Sequence, residues 1–216
     1  MRKFLLALSF AAILFFTYFS YTVAKERWIR VDFDTMVKIQ DHIPRRFDQL
    51  FSYLTVLGDI EVTLGICVLL AFIAFIRKHF WAGLGWLAIL PASLTEIFGK
   101  LVLFHPSPPV FFHRTILPSN LPQFYVHTNF SYPSGHMTRT FFLLTVFFLV
   151  VLFSKWKAPV KFLSLFLIIF IGFMMTLTRV YLGEHWMSDV LGGGLLGLSA
   201  GLFSGVLIIK KKYVKI

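Results

Sequence analysis

Apolar residues gather along the chain into six runs, at roughly 4–24, 57–76, 81–103, 137–153, 159–178 and 190–209. Each is near the ~20 residues that a helix needs to cross the hydrocarbon of a bilayer. The pattern predicts an all-α fold, a polytopic bundle of six transmembrane helices forming one domain over residues 1–216. Between the first two runs, residues 25–56 mix charges with Trp28, Ile29, Val31, Phe33, Ile39 and Ile43. That mixture predicts an amphipathic stretch on the membrane surface, helical between Asp34 and Phe51. It either connects two spans or guides a polar group toward the bundle.

Composition supports the membrane reading. Of 216 residues, 57% are hydrophobic and 27 are Phe, which suits lipid-facing helices better than a water-soluble core. Mean hydropathy is +0.77. The net charge of +11 would suggest nucleic acid, but its distribution argues against that partner. Arg2 and Lys3, Arg77 and Lys78, Lys155, Lys157 and Lys161, then Lys210 to Lys212 and Lys215 flank alternate ends of successive apolar runs. Such a bias orients helices with their basic ends in the cytoplasm. Both termini are therefore expected inside an inner (plasma) membrane, with 25–56, 104–136 and 179–189 facing the periplasm or exterior. The first run, ending Thr22-Val23-Ala24, looks like a secretory signal, but its length favours an uncleaved anchor. Cys67, the lone cysteine, sits in an apolar run and reads as a small core residue.

Ionisable residues at a membrane span are costly, and three groups fall at the outer boundary. Pro133-Ser134-Gly135-His136 precedes the fourth run. There a helix N-terminus, the Ser134 hydroxyl and a titratable imidazole make an anion site, or an ordinary turn with a serine cap. In Thr178-Arg179-Val180-Tyr181-Leu182-Gly183-Glu184-His185-Trp186-Met187-Ser188-Asp189, a helix beginning near Glu184 would put His185 and Asp189 on one face. Asp189 would then orient one imidazole nitrogen and leave the other nucleophilic, with Arg179 as a fork for phosphate. Gly193, Gly197, Gly201 and Gly205 continue that face and predict close approach of a neighbouring helix. Lys100 ends the third run ahead of His105-Pro106-Ser107-Pro108-Pro109 and either reaches a phosphate or pairs with Glu96.

Pro133-Ser134-Gly135-His136, followed by Arg179, His185 and Asp189 at Arg-x5-His-x3-Asp spacing, resembles the type 2 phosphatidic acid phosphatase family. Its relatives include bacterial acid phosphatases and vanadium haloperoxidases. The resemblance implies a six-helix core with an outward-facing site and a metal-independent hydrolase that needs no cofactor. His185 would attack phosphorus to form a phosphohistidine, Asp189 would orient it, and His136 would protonate the leaving oxygen and then activate water. Lys100, Ser134, the Gly135 backbone and Arg179 would hold the phosphoryl oxygens.

Two positions depart from the family's pattern. Ser107 stands where the first motif, Lys-x6-Arg-Pro, has arginine, and Thr178 stands where serine usually precedes Arg179. Losing one such donor would cost roughly 2–4 kcal/mol of transition-state stabilisation. Arg139, one turn from His136, or Arg114, in the same outer loop, is the expected replacement.

The expected partner is a phosphorylated lipid within the bilayer. Candidates are undecaprenyl pyrophosphate, placed first, then phosphatidylglycerophosphate, phosphatidic acid and the phosphates of lipid A. Phosphotransfer between lipids would use the same residues. A non-catalytic lipid transporter or scaffold is the reading from another class, opposed by the joint presence of His136, His185 and Asp189. The sequence names no oligomeric state.

Overall fold

The computed structural model describes residues 1–116 and 130–209. The basic cluster Lys210 to Lys212 and Lys215 lies outside the described residues. Six helical stretches among them are long and apolar enough to cross a membrane: Arg2–Ala24, Arg45–Ile76, Phe80–Val102, Gly135–Leu152, Ala158–Tyr181 and Met187–Ile208. The described residues are joined into an all-α bundle, as the six apolar runs predict.

The first span is α1 (Arg2–Ala24). The second is entered through α3 (Asp48–Thr55) and a short turn and is completed by α4 (Ile60–Ile76). The third divides into α5 (Phe80–Leu87) and α6 (Ile89–Val102). Pro91 has no N–H to offer the Leu87 carbonyl, which explains the break. The last three spans are α7 (Gly135–Leu152), α8 (Ala158–Tyr181) and α9 (Met187–Ile208).

Helices α7 and α9 form the centre. In each, 61% of the apolar window is buried, against 17% in α1 and 11% in α8. The glycine stripe explains their closeness. A Cβ at Gly193 would lie 2.3 Å from the Ser134 carbonyl oxygen, and one at Gly197 would lie 2.2 Å from that of Thr138. A Cβ at Gly201 or Gly205 would instead meet side-chain carbons, of Thr145 at 2.6 Å and of Leu149 at 2.4 Å. Against the other side of α9, α1 presents Leu5, Ser9, Phe16, Phe19 and Val23, spaced by three, four and seven residues. Ser9 and Ser199 exchange hydroxyl-to-carbonyl hydrogen bonds of 2.9 and 3.0 Å across that seam. Cys67 is fully buried among Ala71, Trp86, Ile89 and Phe142.

The surface stretch differs from its expected bounds. Its helix, α2 (Ile29–His42), starts five residues before Asp34 and stops where Ile43 is extended ahead of Pro44. The chain becomes α-helical again only at α3. The inward face of α2 is partly polar: Asp32, Met36 and Gln40 are buried at i, i+4 and i+8. Gln40 donates to the carbonyls of Phe112 (2.7 Å) and Tyr181 (2.8 Å), which fastens α2 over the end of α8.

Candidate active site

His185 lies in the Leu182–Trp186 turn between α8 and α9, not on α9 as the helical spacing suggested. Gly183 makes the reversal possible, with φ of +71° and a position where a Cβ would fall 2.2 Å from the Phe112 carbonyl oxygen. Helix α9 begins after Trp186, whose N–H donates to Asp189 Oδ2 at 2.9 Å. The same oxygen lies 3.3 Å from His185 Nδ1. The predicted pair therefore forms, but through a helix-capping carboxylate that reaches back to a turn residue. With Nδ1 so engaged, Nε2 is the nitrogen left for an electrophile. Burial, together with the charges of Arg179, Lys100 and Arg139, holds the His185 pKa well below the ordinary imidazole value. The ring is accordingly neutral and nucleophilic at neutral pH.

Three cations from three helices converge on that ring. Lys100 lies in the last turn of α6, Arg139 sits one turn into α7 and Arg179 lies in the last turn of α8, with exposures of only 6%, 7% and 2%. Two carboxylates offset them. Glu96 pairs with Lys100 at 2.5 Å and with Arg139 at 3.6 Å, while Glu184 pairs with Arg179 and accepts a hydrogen bond from Thr115. The Glu96–Lys100 pairing and the convergence of Lys100 on His185 thus occur together.

Ser134 occupies the N-cap position of α7, yet its side chain makes no capping hydrogen bond. Its backbone N–H instead donates to the Asp189 carbonyl at 3.0 Å, joining the starts of α7 and α9. Ser134 Oγ, Arg139 Nε and Arg179 Nε are buried without a hydrogen-bond partner among the described residues. Helix α7 starts at Gly135, so His136 is in its first turn, with Nε2 at 2.7 Å from Asp59 Oδ1.

Arg114 is placed elsewhere. Its guanidinium donates to the carbonyls of Gln40 (3.1 Å) and Ile43 (3.2 Å) and lies over the Tyr181 ring, so it braces the end of α2. Of the two expected replacements for the family's arginine, the fold brings Arg139 to the cluster. Ser107 is exposed. The Thr178 hydroxyl donates to the Met175 carbonyl of its own helix at 3.1 Å.

Two further residues at the site, Asp32 and His105, have no role assigned by the sequence. Asp32, from α2, accepts both the backbone N–H and the hydroxyl of Ser188 at 2.7 Å, capping α9 from another helix. His105 fills the adjoining space, with Nε2 at 3.4 Å from Ser188 Oγ and 3.6 Å from Asp189 Oδ1. Burial pushes its pKa down to about 4, so it packs as a neutral ring. Among the described residues there is no group of three or more His, Cys, Asp or Glu able to hold a metal ion.

Residues 80–212 match the model of the PAP2 superfamily. The chain belongs to that superfamily. Two solved structures share its fold. One is the first transmembrane PAP2-type phosphatidylglycerolphosphate phosphatase from Bacillus subtilis, at TM-score 0.70 and 22% identity, covering 92% of this chain and 93% of that one. The other is Aquifex aeolicus LpxE, at TM-score 0.57 and 23% identity, covering 81% and 94%. No curated protein sequence matches the chain. With six helices among the described residues long and apolar enough to cross a membrane, this is an integral membrane protein of that superfamily, and its fold is that of the two transmembrane neighbours.

Proposed function

We propose that the chain is a lipid-phosphate phosphatase that works through a phosphohistidine on His185, without a metal. The observation that carries this reading is a neutral imidazole, held at Nδ1 by Asp189, facing Lys100, Arg139 and Arg179 at a membrane boundary. Glu96 and Glu184 offset these three cations only in part, and a phosphoryl group is a further anion that the remaining positive charge can hold. Phosphoryl transfer asks a protein mainly for positioning and charge stabilisation. Ser134 Oγ and the unpartnered guanidinium nitrogens are donors suited to the three equatorial oxygens.

In the first step, His185 Nε2 bonds to phosphorus as the bond to the lipid oxygen breaks. The leaving oxygen keeps the electron pair and takes a proton from His136. In the second step, water gives a proton to His136 as its oxygen bonds to phosphorus and the P–N bond breaks. Phosphate leaves and both imidazoles return to their starting state. Transfer to a second lipid would replace water by its hydroxyl at the same residues.

The candidate substrates are undecaprenyl pyrophosphate, phosphatidylglycerophosphate, phosphatidic acid and lipid A phosphates, the second being the chemistry named for the Bacillus subtilis neighbour. The positive-inside bias supports cytoplasmic termini and an outward-facing site. Labelling of a cysteine placed at the exposed Lys157 by an impermeant maleimide only after cell lysis supports that orientation; labelling in intact cells reverses it.

The test of function is phosphate release by purified protein in EDTA over those lipids, beside His185→Ala. Release that survives EDTA and disappears in the variant supports the reading. A folded wild-type sample that releases nothing from any of them overturns it in favour of a transporter or scaffold.

A further inference from the structure

Asp59 stands at the N-cap position of α4, with the extended backbone (φ −60°, ψ 150°) of a capping residue. Aspartate is among the best residues for that task, and losing a cap costs about 1 kcal/mol. Its side chain nevertheless makes no capping hydrogen bond. The carboxylate is turned across to α7, where Oδ1 lies 2.7 Å from His136 Nε2. The contact is built in by its surroundings. A Cβ on the preceding Gly58 would lie 3.1 Å from His136 Cδ2 and 3.0 Å from Thr140 Oγ1, so the turn before α4 is pressed against α7. Both groups are partly screened from solvent, with side-chain exposures of 16% for His136 and 28% for Asp59.

The need for a carboxylate follows from the charges around the ring. Arg139 on its own helix, Arg179 from α8 and Lys100 from α6 place three positive charges around His136, beside the neutral His185 ring. Each opposes a proton placed there, yet a general acid must carry one. Asp59 touches the ring directly and offsets that repulsion, and it feels in turn the charges of Arg179, Arg139, Glu61 and Glu184.

We propose that Asp59 is the positioning residue for His136, making a second imidazole–carboxylate dyad opposite the His185–Asp189 pair. The inference rests on the reading of His136 as the acid for the leaving oxygen. Asp59 holds Nε2–H and thereby selects the tautomer and the charge of the ring, leaving Nδ1 to exchange the proton. As the P–O bond to the lipid breaks, the Nδ1 proton passes to the departing oxygen and Asp59 retains the neutral ring by its Nε2–H. In the hydrolytic step the same nitrogen takes the proton of water while Asp59 stabilises the imidazolium that results. The two dyads thus divide the labour: Asp189 serves the nucleophile and Asp59 serves proton transfer.

A dyad that serves only proton transfer predicts a dependence on the leaving group. Phosphatidic acid expels an alkoxide that requires a proton, whereas p-nitrophenyl phosphate expels a stable phenolate. With full-length protein in detergent, Asp59→Asn is expected to lower kcat/KM on phosphatidic acid about 100-fold, and on p-nitrophenyl phosphate at least ten-fold less than that. Asp59→Glu, which keeps the charge, should recover part of the loss. The Asp59→Asn/His136→Ala double variant should be no worse than His136→Ala alone. Elution volume and melting temperature establish that each variant is folded. Equal losses on the two substrates, or losses that add in the double variant, overturn the proposal. Turnover by wild-type protein and its absence in His185→Ala report on the underlying mechanism separately, so either idea can fail without the other.

Discussion

Replacing Gly197 with alanine tests whether the glycine stripe sets the active-site geometry. The added Cβ would lie 2.2 Å from the Thr138 carbonyl oxygen and 2.9 Å from the Phe142 nitrogen, both backbone atoms of α7. Neither can rotate aside, and contacts between heavy atoms favour about 3.5 Å or more. Helices α7 and α9 must therefore separate by about 1 Å at this level. Alanine gains about 1 kcal/mol of helix propensity over glycine, but overpacking of this kind costs about 1–3 kcal/mol. The expected balance is a net destabilisation of up to about 2 kcal/mol. The separation also propagates to the end of the pair, where Ser134 N–H meets the Asp189 carbonyl at 3.0 Å. Misplacing a reacting group by 1 Å costs about 100-fold in rate. Gly194 is the control on the same helix, because a Cβ there would meet Phe141 at an ordinary 3.6 Å. Melting in detergent and kcat on a lipid phosphate should both fall in Gly197→Ala, while Gly194→Ala should melt at or above wild type. If Gly197→Ala melted with Gly194→Ala and kept full turnover, the close-approach argument would be refuted.

Two further outcomes follow from the charges at the site. Arg139→Ala should lower kcat/KM by about 10² to 10³, the equivalent of roughly 3–4 kcal/mol for one lost charge-assisted donor, whereas Arg114→Ala should act chiefly on melting temperature; the reverse ranking would assign Arg114 the family's missing role. The depressed His185 pKa places the acidic limb of kcat/KM below pH 6.5, since the neutral ring is the attacking form. Arg179→Ala removes a positive charge that opposes protonation, so the limb should move up toward 6.5, and a downward shift or none would contradict the assigned cause. The same sign governs stability: the native ring binds fewer protons than the unfolded one, so this contribution is present above pH 6.5 and is lost as pH falls.

The hydrophobic pattern by itself determined the six spans, because crossing a bilayer is decided by about 20 successive residues and needs no knowledge of neighbours. The order of Ser134, His136, Arg179, His185 and Asp189 likewise pointed to the superfamily, and the four-residue period of Gly193 to Gly205 announced which face of α9 would be approached. Local signals misjudged local detail. A Glu184 helix start was a fair reading of the spacing, but Gly183 and the Asp189 cap move the start to Met187. Pro44 cuts short the helix expected to run to Phe51.

Other features were decided by tertiary structure alone. Arg114 and Arg139 were equal candidates along the chain, and only the rotation of α7 against α6 and α8 turns Arg139 to Glu96 while Arg114 is spent on the carbonyls of α2. Along the sequence Asp59 falls inside the second apolar run and Asp32 inside the amphipathic stretch, and neither carries a signal of its own. Their partners, His136 and Ser188, are 77 and 156 residues away. Contacts of that range depend on how rigid helices are rotated and staggered when they pack, which hydropathy cannot encode. The sequence therefore determines that the chain spans the membrane and carries the motifs of its superfamily, and packing determines which carboxylate lies against which histidine.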